Sequence, residues 1–272
     1  MKIFAISVIK NEADVIQYNL QQAALWAEKI FVLDNGSTDG TWEKVLAAAA
    51  ANDKIVPWKQ EFKPFYEGLR GEVFNAFRHE AQEGDWWCYR LDADEFYIDD
   101  PREFLPTIAP GHHFVNTQTF EYQLTRQDLE QHQFVGNATV ELPLIRHYHK
   151  HTYAEARFFR HRNRLQWEPG LDRPRYIGIV SPKRIRVRHY QYRSPEQMQR
   201  RADTRIKARQ DGFVGWDHAA RPDWRDYLCN NDELYEDKGD GRWQTLGNSN
   251  AYTHKWYVKL IKTVMHGVGI WP

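Results

Sequence analysis

The chain has 272 residues, enough for one large or two small domains with a substantial core, and its 42% apolar and 27% charged content excludes a disordered, fibrous or disulfide-stapled fold. Formal charge is zero, yet residues 1 to 145 carry 12 basic and 23 acidic side chains while residues 146 to 272 carry 25 and 14, so the balance hides a dipole. The excess is concentrated in residues 146 to 209, with 18 basic and 5 acidic side chains, which points either to an anionic partner or to a basic face answering the acidic first half.

The first hundred residues alternate between strand-like and helix-like patterns, the mark of α/β architecture with a largely parallel sheet. The apolar run from Ile3 to Ile9 reads as a buried strand, ended by Lys10-Asn11-Glu12 well short of signal-peptide length. Ile16, Leu20, Ala23, Ala24 and Ala27 then recur on one helical face, Ile30 to Leu33 is a second strand, and a helix follows from about Gly40 to Ala51. Lys54 to Pro57 reads as a short strand, Leu69 to Gln82 as a helix, and Trp86 to Leu91 as another buried strand. Beyond residue 110 the pattern loosens into strands at His113 to Tyr122 and Ile185 to Tyr190 and a helix from Pro195 to Gln210. No segment approaches about 18 uninterrupted apolar residues, so no membrane span is expected. Cys88 and Cys229 encode neither a disulfide framework nor a zinc site, and the expected location is the cytoplasm or the inner face of the plasma membrane.

Two polar clusters fall at strand carboxyl ends, where open α/β sheets bind ligands. Asp34-Asn35-Gly36-Ser37-Thr38-Asp39 follows the second strand, and Asp92-Ala93-Asp94-Glu95 follows the strand at Trp86. Two aspartates separated by one residue can offer oxygen ligands to a hard divalent cation, although as a turn or cap such a pair needs no function. Val8-Ile9-Lys10-Asn11-Glu12, Asp34 to Thr41 and Leu91 to Phe96, in this order and spacing, resemble the nucleotide-sugar half of family 2 glycosyltransferases with a GT-A fold, over roughly residues 1 to 105. Within that family it resembles the subgroup that carries Lys-Asn-Glu and Asp-Asn-Gly-Ser-Thr-Asp-Gly-Thr segments and an Asp-x-Asp-Glu metal motif.

The resemblance implies a Rossmann-like, mostly parallel sheet flanked by helices, with a mixed acceptor-side region and C-terminal helices. It divides a single GT-A domain into a nucleotide-sugar-binding half, 1–110, and an acceptor-binding half with a helical C-terminus, 111–272. It places Asp34 on the base or ribose, Asn11 and Glu12 along the nucleotide pocket, and Asp92 and Asp94 on Mn or Mg, with Asp92 also near the ribose. Asp39 serves equally well as a helix cap or a ligand contact. Arg157-Phe158-Phe159-Arg160 and Leu165 to Asp172 look like the family stretch that ends in Gly-x-x-His-Glu, but Asp172-Arg173 replaces the His-Glu pair. Asp172 is then the substitute catalytic base, with Glu168 in reserve, against a plain surface turn at Pro169-Gly170. Relatives place a metal- or diphosphate-binding histidine where His189 stands, against a structural imidazole. His147, His149 and His151 would share one side of a strand but lack nearby carboxylates, and Arg193, Arg200, Arg201 and Arg205 form either a phosphate clamp or an exposed charged face.

The activity so implied is inverting transfer of a sugar from a nucleotide-diphosphate donor, a UDP-sugar first, to a hydroxyl of a glycan or glycolipid, in envelope polysaccharide or lipopolysaccharide assembly. Nucleic acid is not an expected partner. The rivals are a catalytically silent sugar-nucleotide or glycan-binding module and a nucleotidyltransferase; the latter needs a Gly-rich basic loop where Lys10-Asn11-Glu12 stands. At the C-terminus, Trp256, Tyr257, Leu260, Ile261, Val264 and Val268 share one helical face and Lys255, Lys259 and Lys262 another, the pattern of a helix on anionic lipid or of a last helix packed on the domain.

Overall fold

A computed structural model describes residues 1–210, 221–248 and 254–272. In chain order the elements are β1 (Ile3–Ile9), α1 (Ile16–Ala24), β2 (Lys29–Asp34), α2 (Thr41–Ala51), β3 (Ile55–Gln60), α3 (Leu69–Phe77), β4 (Trp86–Cys88), β5 (Glu95–Tyr97), α4 (Pro101–Phe104), β6 (Phe114–Gln123), α5 (Arg126–Gln131), α6 (Ala138–Glu141), β7 (His147–Tyr148), β8 (Ala156–Arg160), β9 (Ile185–Tyr192), α7 (Pro195–Gln210), β10 (Tyr235–Glu236) and α8 (Trp256–Gly267). They form two compact units, each assembled from separate chain segments.

The first unit comprises Met1–Thr119, Tyr153–Val187 and Asn248–Pro272. Its boundary differs from a division at residue 110, because β8 returns antiparallel to β4 with Arg160 opposite Trp86, and β6 starts antiparallel to β8 with Phe114 opposite Phe159. The parallel set β3-β2-β1-β4 is thereby extended by antiparallel strands into a mixed sheet. Strand alternation sorts the core. Phe4, Phe31, Trp87 and Phe159 point to the face covered by Phe74 of α3, where Phe31 stacks on Phe77 at 4.0 Å and Phe74 meets Trp87 edge-on at 5.2 Å. On the opposite face Trp26, just past α1, packs against Tyr97 and Phe158. This is the α/β architecture, helices flanking a mostly parallel sheet, that the alternating pattern leads one to expect.

The second unit comprises Phe120–Thr152 and Arg188–Gly247. β7 pairs with β10, Tyr148 opposite Tyr235, and with the end of β6, Tyr148 opposite Tyr122. The Tyr122 hydroxyl accepts from Trp243 Nε1 at 2.9 Å and donates to Asp237, which Arg188 approaches at 3.4 Å. β7 spans only His147–Tyr148, and among the described residues no metal-ligating group contains His147, His149 or His151. Among the described residues no helix is long and apolar enough to cross a membrane.

Candidate functional site

β2, β1 and β4 lie side by side and parallel, so the residues that follow them emerge at one edge of the sheet. Asp34 closes β2 and is wholly buried; its Oδ1 accepts from the Ser37 backbone N–H at 2.6 Å, while Oδ2 is buried without a partner. A buried carboxylate oxygen left without a donor is costly, so Oδ2 is an acceptor that the protein itself leaves unfilled. Asn11 follows β1 in the left-handed region at φ 56°, where asparagine is tolerated. It ties the two loops together: its N–H donates to Ser37 Oγ at 2.9 Å, and its Oδ1 accepts from the Thr38 N–H at 2.9 Å. The Glu12 N–H donates to Thr41 Oγ1, and its carbonyl accepts from Val15 and Ile16 at the start of α1. Asp39 accepts from the Thr41 N–H and hydroxyl through Oδ1 and from the Ala13 N–H at 3.2 Å through Oδ2, bracing the start of α2 against the loop after β1.

Past β4 the turn at residues 92–95 is held from beneath. Ser7 Oγ donates to the Leu91 carbonyl at 2.9 Å, and the buried Asn19 amide on α1 donates to the carbonyls of Asp92 and Glu95 at 3.2 and 2.9 Å. The carboxylates meet arginines. Asp92 accepts from Arg70 Nη2 at 3.1 Å and from Arg157 Nη1 at 3.2 Å, and Arg157 also bonds Glu95 and, at 2.8 Å, Glu155. Burial alone would raise the Asp92 pKa, but the guanidinium groups of Arg157, Arg70 and Arg90 outweigh it and hold the carboxyl below its usual range. Arg90 reaches Glu67 at 2.8 Å, closing a ring of alternating charge around the turn.

Among the described residues, the group of three or more potential metal-ligating side chains whose ligand atoms all lie within 4.8 Å of one another is Asp92, Glu95 and Glu155. Asp94 is buried in the same turn but stands outside that trio, and His189 belongs to β9 in the second unit. Asp172 and Glu168 are half-exposed on the turn after Trp167, Asp172 paired with Arg173 at 2.7 Å and Glu168 with Arg175 at 3.3 Å. This turn abuts the start of α3, since a methyl on Gly68 would lie 3.2 Å from the Gly170 nitrogen. Burial pushes the Tyr89 hydroxyl up to about 12, and the positive charges of Arg90 and Arg173 pull against it. Sequence reading singled out the motif acids but missed Arg70, Arg90, Glu67 and Glu155, and assigned Arg157 no role. The available signal was an arginine in the apolar strand Ala156–Arg160, an arrangement that requires buried counter-charges.

No family model matches the sequence, and no curated protein does. Among solved structures, the chain is similar to a mannosyltransferase from Pyrobaculum calidifontis in complex with GDP-Man and Mn2+, at 16% identity and a TM-score of 0.38, covering 82% of this chain and 68% of that one. It is similar to mannosyl-3-phosphoglycerate synthase from Rubrobacter xylanophilus at 18% identity and TM-score 0.29, covering 45% of this chain and 41% of that one. With glucosyl-3-phosphoglycerate synthase from Mycobacterium tuberculosis the values are 17% and 0.27, covering 47% and 46%. The chain thus spans less than half the length of the last two.

Proposed function

We propose that the protein is a metal-dependent, inverting glycosyltransferase of the family 2 type with GT-A architecture, taking a UDP-sugar as donor and a hydroxyl of a glycan or glycolipid as acceptor in envelope polysaccharide or lipopolysaccharide assembly. The observation that carries this reading is the delivery of Asn11, Asp34 and Asp92 by three adjacent parallel strands to one sheet edge, with Asp34 Oδ2 buried and unbonded there. That oxygen suits a ring N–H of a pyrimidine base or a ribose hydroxyl, and Asn11 and Glu12 hold the flanking loop. Asp92 and Asp94 are hard oxygen donors of the kind Mn or Mg takes; each Asp92 oxygen bonded to arginine keeps a further lone pair, so the donor set fits such an ion. When bound, the ion neutralises charge on the departing diphosphate. Asp172 is the proposed base: its carboxylate takes the acceptor proton as the acceptor oxygen bonds the anomeric carbon and the bond to the diphosphate breaks on the opposite face. Glu168 is the second candidate.

Calorimetric titration of UDP, GDP and dTDP with and without Mn, on the parent and on Asp94→Asn, tests the donor site. One nucleoside diphosphate is expected to bind with Mn, and the variant to lose at least tenfold in affinity. Absence of binding, or equal binding by the variant, refutes the assignment, while binding without transfer to any glycan acceptor favours a silent binding module.

A lipid-linked acceptor is supported by α8. None of its residues is buried, Trp256 and Leu260 are 76% and 56% exposed, and Lys255 and Lys259 flank the apolar face. Such a helix fits an anionic lipid surface.

A further inference from the structure

The opposite end of the same unit carries a cavity of another character. Because β8 runs antiparallel to β4, the residues after Arg160 leave the sheet at the amino end of β4, away from Asp92. There a cavity of about 420 Å³ is lined by His113, Arg162, Arg164, His266 and Trp271, with Glu83 at its side. Arg162 is 7% exposed; its Nη2 donates to the Tyr176 carbonyl at 2.7 Å, and its Nη1 lies 3.2 Å from His266 Nδ1. Arg164 donates to the backbone carbonyls of Gly269 and Trp271 at 2.8 and 3.2 Å. Among the described residues neither guanidinium has a carboxylate within 4.0 Å. Glu83, the acid of the lining, instead accepts from the Asn163 N–H at 2.7 Å.

Two buried nitrogens of the lining, Arg162 Nε and His266 Nε2, have no partner, and His113 Nδ1, also unbonded, faces Gly178, where an added methyl would lie 2.1 Å from it. The two imidazoles face each other at 4.9 Å, and the indole of Trp271 lies 5.5 Å from His266 and 5.0 Å from Tyr176, giving one apolar wall. Burial, and then neighbouring positive charge, pushes His113 down to about 3, and burial pushes Arg162 down to about 10. Lys262, which donates to the Gly178 carbonyl at 2.7 Å, is lowered by burial and then by Arg162. The lining sets the guanidiniums of Arg162 and Arg164 and two imidazoles lowered by burial against one acid, Glu83, whose charge acts on Arg162, while the Pro272 oxygen lies 2.6 Å from His266 Nδ1, so fixed positive charge exceeds negative there.

We propose that this cavity binds a small phosphorylated molecule, with its phosphoryl group held by Arg162, Arg164, His113 and His266 and its organic body against Trp271. A phosphate monoester offers three terminal oxygens to a forked guanidinium and adjacent imidazoles, and the volume falls in the range of small-molecule sites, larger than a phosphate alone needs. The site is independent of the donor reading, since it shares none of the residues at the carboxyl edge.

The test is calorimetric titration of the full chain with inorganic phosphate and glucose 6-phosphate, with glucose as control, followed by histidine side-chain NMR. Glucose 6-phosphate is expected to bind more tightly than phosphate, glucose not at all, and the His113 and His266 ring signals to shift. Arg164→Gln, at an exposed position, and His266→Gln are each expected to weaken binding about tenfold while leaving Mn-dependent nucleotide binding unchanged. Failure of both phosphates to bind, or equal binding by both variants, overturns the proposal. Circular dichroism of each variant separates loss of the site from loss of the fold.

Discussion

Arg157 is the residue on which the acidic turn depends. It is fully buried and is shared by Asp92, Glu95 and Glu155, so its removal leaves carboxylates crowded together with Glu95 4% exposed. Breaking a buried ion network by deleting one partner costs about 3–5 kcal/mol, and Arg157→Met is expected in that range by urea denaturation at pH 7.5. The pH dependence follows from the direction of the shift. In the parent the Asp92 pKa is lowered, so its contribution is present above the ordinary carboxylate range of about 3.9 and is lost as pH falls through the folded value. In the variant the burial that raises Asp92 acts without the opposing Arg157 charge, so the deficit is smallest near pH 4 and grows toward neutrality. A deficit independent of pH would show that Arg157 acts by packing alone. The placement of Asp34, Asp92 and Asp94 after strand ends was legible because a short motif announces itself in adjacent letters. Arg157 was not, because its partners Asp92 and Glu95 lie 65 and 62 residues away, a separation no local pattern encodes.

Some elements match the expected bounds and others end earlier than their sequence pattern implies. β1 and α7 coincide with the runs at Ile3 and Pro195, whereas the helix expected from Leu69 to Gln82 stops at Phe77 and tightens into a 3-10 turn at Arg78–Glu80. There Arg78 donates to the Asn163 carbonyl at 2.6 Å, a tertiary bond outside the helical period. The strand expected from Trp86 to Leu91 pairs only to Cys88; Tyr89 and Leu91 still donate to Arg157 and Ile6, and the chain then bends into the aspartate turn. Within α3, Gly71 faces the buried Trp167, and a methyl there would sit 2.8 Å from Trp167 Cδ1. The same indole donates to the Leu171 carbonyl at 2.9 Å, so its displacement would also move the turn bearing Asp172. Gly71→Ala is therefore expected to destabilise by about 1–3 kcal/mol through overpacking. Gly111→Ala, with nothing within 4 Å, is expected to stay within about 0.5 kcal/mol. Thermal melts of the two variants compare the positions directly, and equal shifts would deny Trp167 its role as a packed support.

For the whole molecule, the charge dipole of the sequence is partly spent internally. Arg157 meets Asp92 and Glu95, and Arg186 meets Asp99 at 2.6 Å, so basic residues of the second half answer acids of the first within one unit. Among the described residues no ion pair takes Lys255 or Lys259, which stand beside the exposed apolar face of α8. An anionic bilayer gains roughly 1 kcal/mol per lysine held near its surface, and burial of Trp256, Leu260 and Ile261 adds the apolar share. The two contributions separate by experiment. Co-sedimentation with vesicles of mixed phosphatidylglycerol and phosphatidylcholine is expected to retain the parent chain, and pure phosphatidylcholine to retain much less. Lys255→Gln with Lys259→Gln should lower binding to the anionic vesicles by about tenfold or more and flatten its salt dependence. Leu260→Glu with Ile261→Glu should abolish binding to both, while leaving the melting temperature near that of the parent because neither side chain is buried. Vesicle binding unchanged in both double variants would assign the apolar face of α8 to something other than lipid, and the lipid-linked acceptor would lose its structural support.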